Sequence, residues 1–441
     1  MPAIITNQAR LLSADYFVNQ IALVPTYLYI GGVTTAWDDE NDPPAIKDST
    51  KDQIMAFDEF YAGKRIQRSN IVPVTRRINW TIDTVFDEYN DVADLINELN
   101  DETLSFYNFY VLTSEFNIYK CISNNNRTPS TIMPSGTSIN SFQTPDGYIW
   151  KYMYSLNSED VFGFLTANWM PCYNVLYNNN TTQWQTQQAA VGLTVDHVVV
   201  TDNGTGYLSS NAPTVAIVGD GVGATAVAVI DDDLGEITNI IITNKGSGYT
   251  TASVTITGGV GVGATATAII SPINGHGWNA RQELGAHYVM IKADIEGTEE
   301  DYIPTDTVYR RINLVSEPLS DSATGVVVVV TNPEQFSVGN IVDQDNTGAT
   351  GTIHAINIPK GYLYLSSVAG TFNTTDIVSS YAGNETTPVG ILTSQPLPVT
   401  ANLIDATDVI ERSGDLLYFS TRAPVLRNEF QNESIRFIVT F

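Results

Sequence analysis

The stretch GVGATAVAVI, residues 221–230, returns almost unchanged as GVGATATAII at residues 261–270. In both copies small and β-branched residues alternate behind a pair of glycines, a pattern typical of a strand that begins at a tight turn. A second phrase repeats with it, because TDNGTGY (201–207) returns as TNKGSGY (243–249). The duplication predicts hairpins that pack together as one small β domain over residues 194–271.

One part of this repeat imitates a cofactor site. GDGVGA (219–224) fits the Gly-x-Gly-x-x-Ala fingerprint of dinucleotide-binding proteins. That site needs a helix N-terminus directly after the loop to hold the pyrophosphate. Here residues 225–230 continue the β pattern and an acidic turn follows at 231–235. The sequence therefore predicts a strand at this point and no nucleotide cofactor.

The rest of the chain predicts a larger β core around two insertions. Residues 322–393 alternate β-branched residues with Gly and Asn turns, which predicts a second small β domain, a barrel or a sandwich. We expect a core of 1–193, 272–321 and 394–441 that carries the inserts 194–271 and 322–393. The predicted fold is mainly β with a few helices: an α+β N-terminal third and a multidomain, β-sandwich-like core.

The N-terminal third mixes two periodicities. Apolar residues at helical spacing predict helices over 11–21, from the N-cap Ser49 to residue 63, and over 85–99. Strand-like runs lie at 27–33, 69–74, 106–113 and 118–122, and another closes the chain at 435–441.

The charge balance limits the classes of partner. Acidic residues outnumber basic ones 48 to 21, giving a net charge of −27 that repels phosphate backbones, so we expect no nucleic-acid binding. Two cysteines, Cys121 and Cys172, make neither a disulfide framework nor a zinc cluster. The first residues lack the pattern of a secretion signal and no apolar run could span a bilayer, so we expect a protein made in the cytoplasm without membrane contact.

Little in the sequence indicates catalysis. The four histidines fall in no HExxH or Cys-His motif, and no Gly-x-Ser-x-Gly elbow occurs; they are His197, His276, His287 and His354. The acidic runs 37–42 and 231–233 do not match a calcium-binding loop, and turn capping is the simpler explanation, with a structural cation as the alternative. We therefore expect no enzyme activity and no cofactor; the alternative is a catalytic triad assembled from residues far apart in the sequence.

Two further patterns allow two interpretations each. The arginine pairs in TRRINW (75–80) and YRRINL (309–314) could form internal ion pairs, or could contact an acidic neighbouring subunit. The aromatic stretch TPDGYIWKYMYSL (144–156) could line a ligand site, or could be the packed seam of a structural protein.

Several motifs occur in the same order as in a known protein family. They are YLYIGGVTTAWDDENDPP (27–44), NIVPVTRRINW (70–80), YKCI (119–122), DGYIWKYMYSL (146–156), ELGAHYVMIKADIEG (283–297), YRRINLVSEPLSD (309–321) and the segment 412–441. Together they resemble the family of the gene-eight baseplate wedge protein of T-even-type contractile-tailed bacteriophages. The resemblance covers roughly residues 1–190, 272–320 and 395–441, and the shorter family members lack both inserts.

The resemblance implies a structural virion protein of the viral tail. Such a protein is a homodimer, is assembled in the host cytoplasm, and docks among other baseplate wedge subunits and neighbouring wedges, with no enzyme activity, cofactor or small-molecule substrate. It also implies that the aromatic stretch packs inside a sheet or against a neighbour. The matching positions that we expect at motifs or interfaces are Arg76, Arg77, Trp80, Asp146, Gly147, Tyr148, Trp150, Tyr152, Arg310, Arg311, Arg412 and Gly414.

Two rival functions stay open. One is a receptor- or glycan-binding tail protein that uses the inserted β domains, although Tyr207 and Tyr249 are nearly the only aromatic residues of the first insert. The other is a virion-associated hydrolase, which would need a carboxylate pair or a histidine in a cleft.

Overall fold

The computed structural model describes residues 5–32, 36–92, 107–299, 307–428 and 430–441. Within these ranges the fold is mainly β, with several antiparallel sheets and few helices, as predicted. The helices are α1 Asn7–Leu23, α2 Thr50–Asp58, α3 Ser158–Gly163, α4 Thr182–Gln188 and α5 Ala280–Glu283.

The described strands follow in chain order. They are β1 Thr26–Gly31, β2 Phe60–Ile66, β3 Ile71–Arg76, β4 Tyr110–Leu112, β5 Asn117–Ser123, β6 Phe142–Gln143, β7 Ile149–Ser155, β8 Trp169–Pro171, β9 Val195–Asp202, β10 Thr214–Gly219, β11 Val222–Asp231, β12 Glu236–Ser247, β13 Ala252–Thr257, β14 Thr265–Ile270, β15 Tyr288–Ile295, β16 Thr307–Ser316, β17 Leu319–Val329, β18 Ile341–Gln344, β19 Ala349–Asn357, β20 Tyr362–Ala369, β21 Val378–Ser380, β22 Glu385–Thr386, β23 Gly390–Pro398, β24 Leu403–Asp405, β25 Asp415–Arg427 and β26 Glu433–Thr440.

The chain divides into two compact units. Unit 1 comprises Met1–Ala14, Val72–Val289 and Thr440–Phe441, and unit 2 comprises Asp15–Ile71 and Met290–Val439. Each unit joins stretches that are far apart in sequence. The five-segment division stays a prediction.

In unit 1 the repeated sequence forms a six-stranded sheet of order β13-β10-β11-β12-β9-β14. Its outer strands β13 and β14 also lie against each other, so the sheet wraps round its own core of alternating Val, Ile and Ala side chains with Tyr207 and Tyr249. The nucleotide fingerprint runs into β11, and residues 232–235 make the turn to β12, as predicted.

The two copies of the repeat pack on each other. The Tyr207 ring lies over Gly261, where a Cβ would come within 2.3 Å of the ring, and the Tyr249 ring lies over Gly221 with a corresponding distance of 2.4 Å. The glycine-rich loop of each copy therefore receives the tyrosine of the other. This exchange explains why both phrases are repeated together.

The remaining sheets of unit 1 carry the aromatic stretch. Strands β4-β5-β7-β6 form an antiparallel sheet, and β3 pairs with β8. Buried apolar side chains cover both faces of the sheet, and they include Phe109, Tyr110, Ile118, Tyr119, Trp150 and Tyr154.

Unit 2 contains a five-stranded sheet of order β24-β2-β1-β16-β25 and a seven-stranded sheet of order β22-β21-β18-β19-β20-β17-β23. The second sheet has its own core, which includes Val328, Val342, Ile353, Leu363 and Leu365. Strand β26 confirms the strand predicted at the end of the sequence.

The helix predictions fared unevenly. Helix α1 is confirmed, and Ser49 caps α2 by accepting a hydrogen bond from the Asp52 backbone N–H. Helix α2 ends at Asp58 and not at residue 63, because the following residues enter β2 and pair with β1. The third predicted helix is wrong over residues 85–92, which are not helical, and its remainder lies outside the described residues.

Candidate functional site: an aromatic seam and a buried charge network

The aromatic stretch begins at a turn that Asp146 holds together. Its Oδ2 accepts hydrogen bonds from Ser130 Oγ (3.0 Å) and from the backbone N–H groups of Thr131 (2.8 Å) and Ile132 (3.0 Å). Its Oδ1 accepts one from Thr144 Oγ1 (2.5 Å). Burial raises the pKa of the Asp146 carboxyl, but these hydrogen bonds outweigh burial and hold that pKa below its usual range.

Gly147 is required at the next position. Its φ is +90°, a conformation that residues with a Cβ rarely adopt. A Cβ would also lie 2.4 Å from Asn125 Nδ2, which donates a hydrogen bond to the Asp146 carbonyl. Both the backbone angle and the closeness of the Asn125 side chain therefore disfavour a side chain here.

The aromatic residues that follow are core side chains. Tyr148, Trp150 and Tyr152 are each at most 2% exposed. Tyr148 stacks on Trp150 with 5.4 Å between ring centroids, and Phe86 meets the indole edge-on at 5.9 Å. The Tyr148 hydroxyl donates to the Thr128 carbonyl at 2.6 Å. These rings pack on one another within unit 1 and offer no open face to a ligand.

The first arginine pair lies near this seam. The Arg76 guanidinium stacks over the Trp169 ring at 4.5 Å, and Arg77 Nη1 donates to a backbone carbonyl at 2.8 Å. Trp80 Nε1 donates to Ser130 Oγ at 3.1 Å. The three residues predicted from the TRRINW motif are thus engaged in contacts inside unit 1.

The second arginine pair forms ion pairs inside unit 2. Arg310 donates two hydrogen bonds to the Glu40 carboxylate, from Nη2 to Oε1 at 2.7 Å and from Nε to Oε2 at 3.3 Å. Arg311 pairs with Glu59 and lies 5.8 Å from the centroid of the Trp37 ring. Internal ion pairing, one of the two interpretations of the motif, is what these arginines do.

The third predicted group also lies in unit 2. Arg412 binds Asp58 through Nε–Oδ1 at 2.6 Å and Nη2–Oδ2 at 2.7 Å. Gly414 has a φ of +87°, and a Cβ there would lie 2.6 Å from the Ser316 carbonyl oxygen. Arg412 is therefore held by an ion pair, and the backbone at Gly414 makes a tight turn that leaves no room for a side chain.

A buried charge network in unit 1 was not predicted. Lys120 is fully buried and its Nζ lies 2.9 Å from Glu283 Oε2 and 4.0 Å from the centroid of the Tyr89 ring. Glu283 Oε1 also accepts hydrogen bonds from the backbone N–H groups of Gly277 (2.9 Å) and Asn279 (3.1 Å). The carboxylate is therefore fixed from both sides.

A second carboxylate, Asp196, lies beside one lysine and two histidines. Its Oδ1 accepts from Lys245 Nζ at 2.6 Å, and its Oδ2 lies 3.3 Å from His197 Nδ1 and 3.2 Å from His276 Nε2. Glu88 Oε1 lies 3.9 Å from the other nitrogen of His197. Histidines that are 79 positions apart in the sequence, at 197 and 276, thus meet at one carboxylate.

The two histidines have opposite pKa shifts. Burial disfavours a charge on His197, but the hydrogen bonds and attraction of Asp196 and Glu88 raise its pKa to about 9. Burial and the nearby Lys120 ammonium lower the pKa of His276. At neutral pH His197 is therefore charged and His276 is neutral. The cations Lys120, Lys245 and His197 then balance the carboxylates of Glu283, Asp196 and Glu88. These ion pairs can hold together the segments that carry them.

The sequence contained a signal for this network. Asp196 and His197 interrupt an otherwise apolar strand, VDHVVV, and Lys120 stands in the apolar run IYKCI. Charged residues at buried strand positions need partners. The identity of these partners depends on which strands pair over long distances in the chain, and the sequence did not reveal that pairing.

The acidic runs serve as turns. Asp39 Oδ1 accepts from the Asn41 backbone N–H and Asp231 Oδ1 from that of Asp233, both at 2.9 Å. Among the described residues, no group of three or more His, Cys, Asp or Glu side chains could hold a metal ion. Cys121 and Cys172 are buried free thiols.

Comparison with known proteins adds no identification. The sequence matches no protein-family model, and no curated protein is significantly similar to it. None of the helices in the described ranges is both long enough and apolar enough to cross a membrane.

Proposed function

We propose that the chain is a structural virion protein, a subunit of the tail baseplate wedge of a contractile-tailed phage that acts through protein–protein contacts. Its soluble form is a homodimer, and its partners are other wedge subunits and neighbouring wedges. It is assembled in the host cytoplasm without a cofactor. The order of the motifs along the chain is the starting point of this proposal.

The observation that carries the proposal is that the motif residues are engaged in packing and ion pairs inside the protein. Four of the predicted motif residues make contacts within their own unit: Asp146 holds a turn, the ring of Trp150 is buried, and Arg310 and Arg412 form ion pairs. Residues of a ligand site would instead leave donors, acceptors or ring faces unoccupied towards a cleft. Packing of this kind supports a role as a rigid block in an assembly.

The charge balance supports the same role. With a net charge of −27 and with Arg310, Arg311 and Arg412 paired internally, the chain presents an excess of carboxylates to its surroundings. Such an excess keeps a subunit soluble before assembly. It also favours neighbours with basic surfaces.

The direct test is localisation on the particle. Antibodies raised against the purified chain should label the baseplate end of the tail in electron micrographs of the phage that encodes it. The proposal would be contradicted by label on the capsid, by label on distal fibres, or by particles that carry no label. Particles of an unrelated contractile phage are the matched control.

A second test concerns the soluble form. Light scattering over a concentration series should give twice the chain mass of 48.1 kDa, with or without EDTA. A stable trimer would favour the rival function.

The rival is a receptor- or glycan-binding tail protein that uses the inserted β domains. The first predicted insert offers it little, because Tyr207 and Tyr249 are only 3% and 2% exposed. The observation in its favour lies in the second, where Tyr381 is 97% exposed. Labelling at a fibre tip would select this function.

A further inference from the structure

Two stretches of unit 1 contain no Asp, Glu, Lys or Arg residue, although the net charge of the chain is −27. They are residues 161–195 and 246–280. The second includes His276, which is buried and is neutral at pH 7 because burial and the nearby Lys120 lower its pKa. A surface built from these two stretches therefore carries no charge of its own.

Each stretch places large apolar side chains on the surface. Leu176, Tyr177 and Val191 of the first stretch are 88%, 74% and 69% exposed. Ile273 and Trp278 of the second are 68% and 43% exposed. Single apolar residues are common on protein surfaces, whereas a group of them on one surface is typical of a binding interface.

Direct contacts bring the two stretches together. Asn174 Nδ2 donates to Asn279 Oδ1 at 2.6 Å. The backbones of Gly275 and Val191 lie so close that a Cβ on Gly275 would come within 2.3 Å of the Val191 nitrogen. We call the surface that these contacts join the neutral patch, residues 174–193 and 272–279. About twenty of its residues are exposed or half-buried, close to the roughly 20–30 that each partner gives to a standard interface.

The polar residues of the neutral patch suit a partner with the same surface. They are uncharged, and Asn180, Gln185 and Gln188 among them are exposed amides. Copies of one chain commonly associate about a two-fold axis, where a residue on the axis meets its own image. An amide both donates and accepts hydrogen bonds and can pair with its image, whereas a charged side chain is repelled by its image.

The charge of the whole chain selects the same partner. A neighbour with a basic surface gains most where it meets carboxylates, and the neutral patch has none. A second copy also carries a charge of −27, so two copies repel each other wherever their acidic surfaces face. At the neutral patch they can approach without that repulsion and remove apolar side chains from water.

We propose that the chain dimerises about a two-fold axis through the neutral patch. In the dimer, Leu176, Val191 and Trp278 of each copy are buried against the neutral patch of the other. The contact lies outside both predicted inserts. This inference rests on the homodimer of the proposed function and names the surface that forms it.

The test measures the mass of the full chain by sedimentation equilibrium over roughly 0.1–100 µM, in the wild type and in three variants. Val191→Glu and Leu176→Glu each place a carboxylate in the neutral patch of both copies and should raise the dimer Kd at least tenfold. Val262→Glu is the matched control, because Val262 is 70% exposed and bridges to Thr205, beyond the end of β9 that is far from the patch. Its dimer Kd should equal that of the wild type. Unchanged circular dichroism would show that the variants fold.

Salt gives a second measurement that needs no variant. Added salt screens the repulsion between two copies of charge −27, so the dimer Kd of the wild type should fall between about 0.05 and 0.5 M NaCl. A dimer held by ion pairs would weaken instead. A dimer Kd that rises with salt would therefore overturn the proposal.

Two further outcomes separate this inference from the proposed function. A dimer that survives both Val191→Glu and Leu176→Glu would overturn the neutral patch as the contact and leave the homodimer in place. A wild type that stays monomeric at every concentration would overturn both the patch and the homodimer. Antibody labelling of the baseplate would still decide the role in the virion.

Discussion

Lys120 and Arg412 each bind a carboxylate, but they do so in opposite surroundings. The Lys120–Glu283 pair is 0% and 6% exposed, whereas the Arg412–Asp58 pair is 49% and 37% exposed. The exposed pair has the better geometry, with two parallel bonds at 2.6 and 2.7 Å. A buried charge that loses its partner cannot turn to water, while an exposed one can. We therefore expect burial, and not bond geometry, to decide the cost of breaking a pair.

The largest expected effect follows from removing Glu283. We expect Glu283→Ala to lower the free energy of unfolding of unit 1 by about 3–5 kcal/mol, because it leaves the Lys120 ammonium buried without a partner. Urea denaturation followed by circular dichroism measures the change as a shift in the midpoint of the transition in which unit 1 unfolds.

A double variant separates the lost pair from the stranded charge. Lys120→Met combined with Glu283→Leu removes both charges and keeps their volume, so it should recover the part of the lost stability that is due to the stranded charge. The backbone N–H groups of Gly277 and Asn279 lose their acceptor in both variants, so that loss cancels in the comparison. If Glu283→Ala alone cost less than about 1 kcal/mol, the contrast between buried and exposed pairs would be wrong.

The second effect is a pH dependence that only the buried network should show. The pKa of His197 is raised to about 9 in the folded state from an unfolded value near 6.5. Its stabilising contribution to the free energy of unfolding is therefore fully present below pH 6.5 and is lost as the pH rises through 9. The shift corresponds to at most about 3 kcal/mol. The facing charges are Asp196, Glu88 and, through the shared carboxylate, His276 and Lys245.

The measurement compares the free energy of unfolding of the wild type and His197→Gln from pH 6 to pH 10. The difference between the two chains should shrink towards high pH. A difference that stays constant over this range would mean that the pKa of His197 is the same in the folded and unfolded states.

The same contrast between crowded and open surroundings applies to two glycines. Gly147→Ala should cost about 2–3 kcal/mol, because φ is +90° and the new Cβ would lie 2.4 Å from Asn125 Nδ2. Gly136 has a φ of +78° but no atom within 4 Å of a Cβ, so Gly136→Ala should cost only about 1 kcal/mol. Thermal unfolding of both variants would measure the two costs, and equal losses would show that steric crowding contributes nothing.

The local parts of the fold were predictable from the sequence. Alternation with a period of two found the strands of the repeat, and the cap at Ser49 found the start of α2, because both depend on neighbours in the chain. The helix predicted over residues 85–99 failed where the structure describes it. There the backbone N–H groups of Asp87 and Tyr89 donate to the carbonyls of Asn108 and Cys121, so tertiary pairing replaced helical bonds.

The candidate sites were predictable only in part. The sequence indicated that Arg310 and Arg311 would find carboxylates, but Glu40 and Glu59 could not be chosen among 48 acidic residues. The meeting of Asp196 with His276 requires the long-range pairing of β9 with β14, which brings residue 270 back beside residue 195. Such a register is set by the whole sheet and not by any local pattern.

The smallest effect is expected at the exposed pair. Arg412→Ala should leave the urea midpoint unchanged within the error of the measurement, because water solvates both Arg412 and Asp58 after the pair is broken and salt already screens their attraction. Alanine keeps the Cβ at this position, where φ is +62°, so the backbone strain is the same in both chains and the substitution isolates the ion pair. Arg412→Lys, which keeps the charge but loses the two-bond grip, is the matched control. A loss as large as that of Glu283→Ala would mean that the bidentate geometry, and not burial, decides the cost of breaking a pair in this protein.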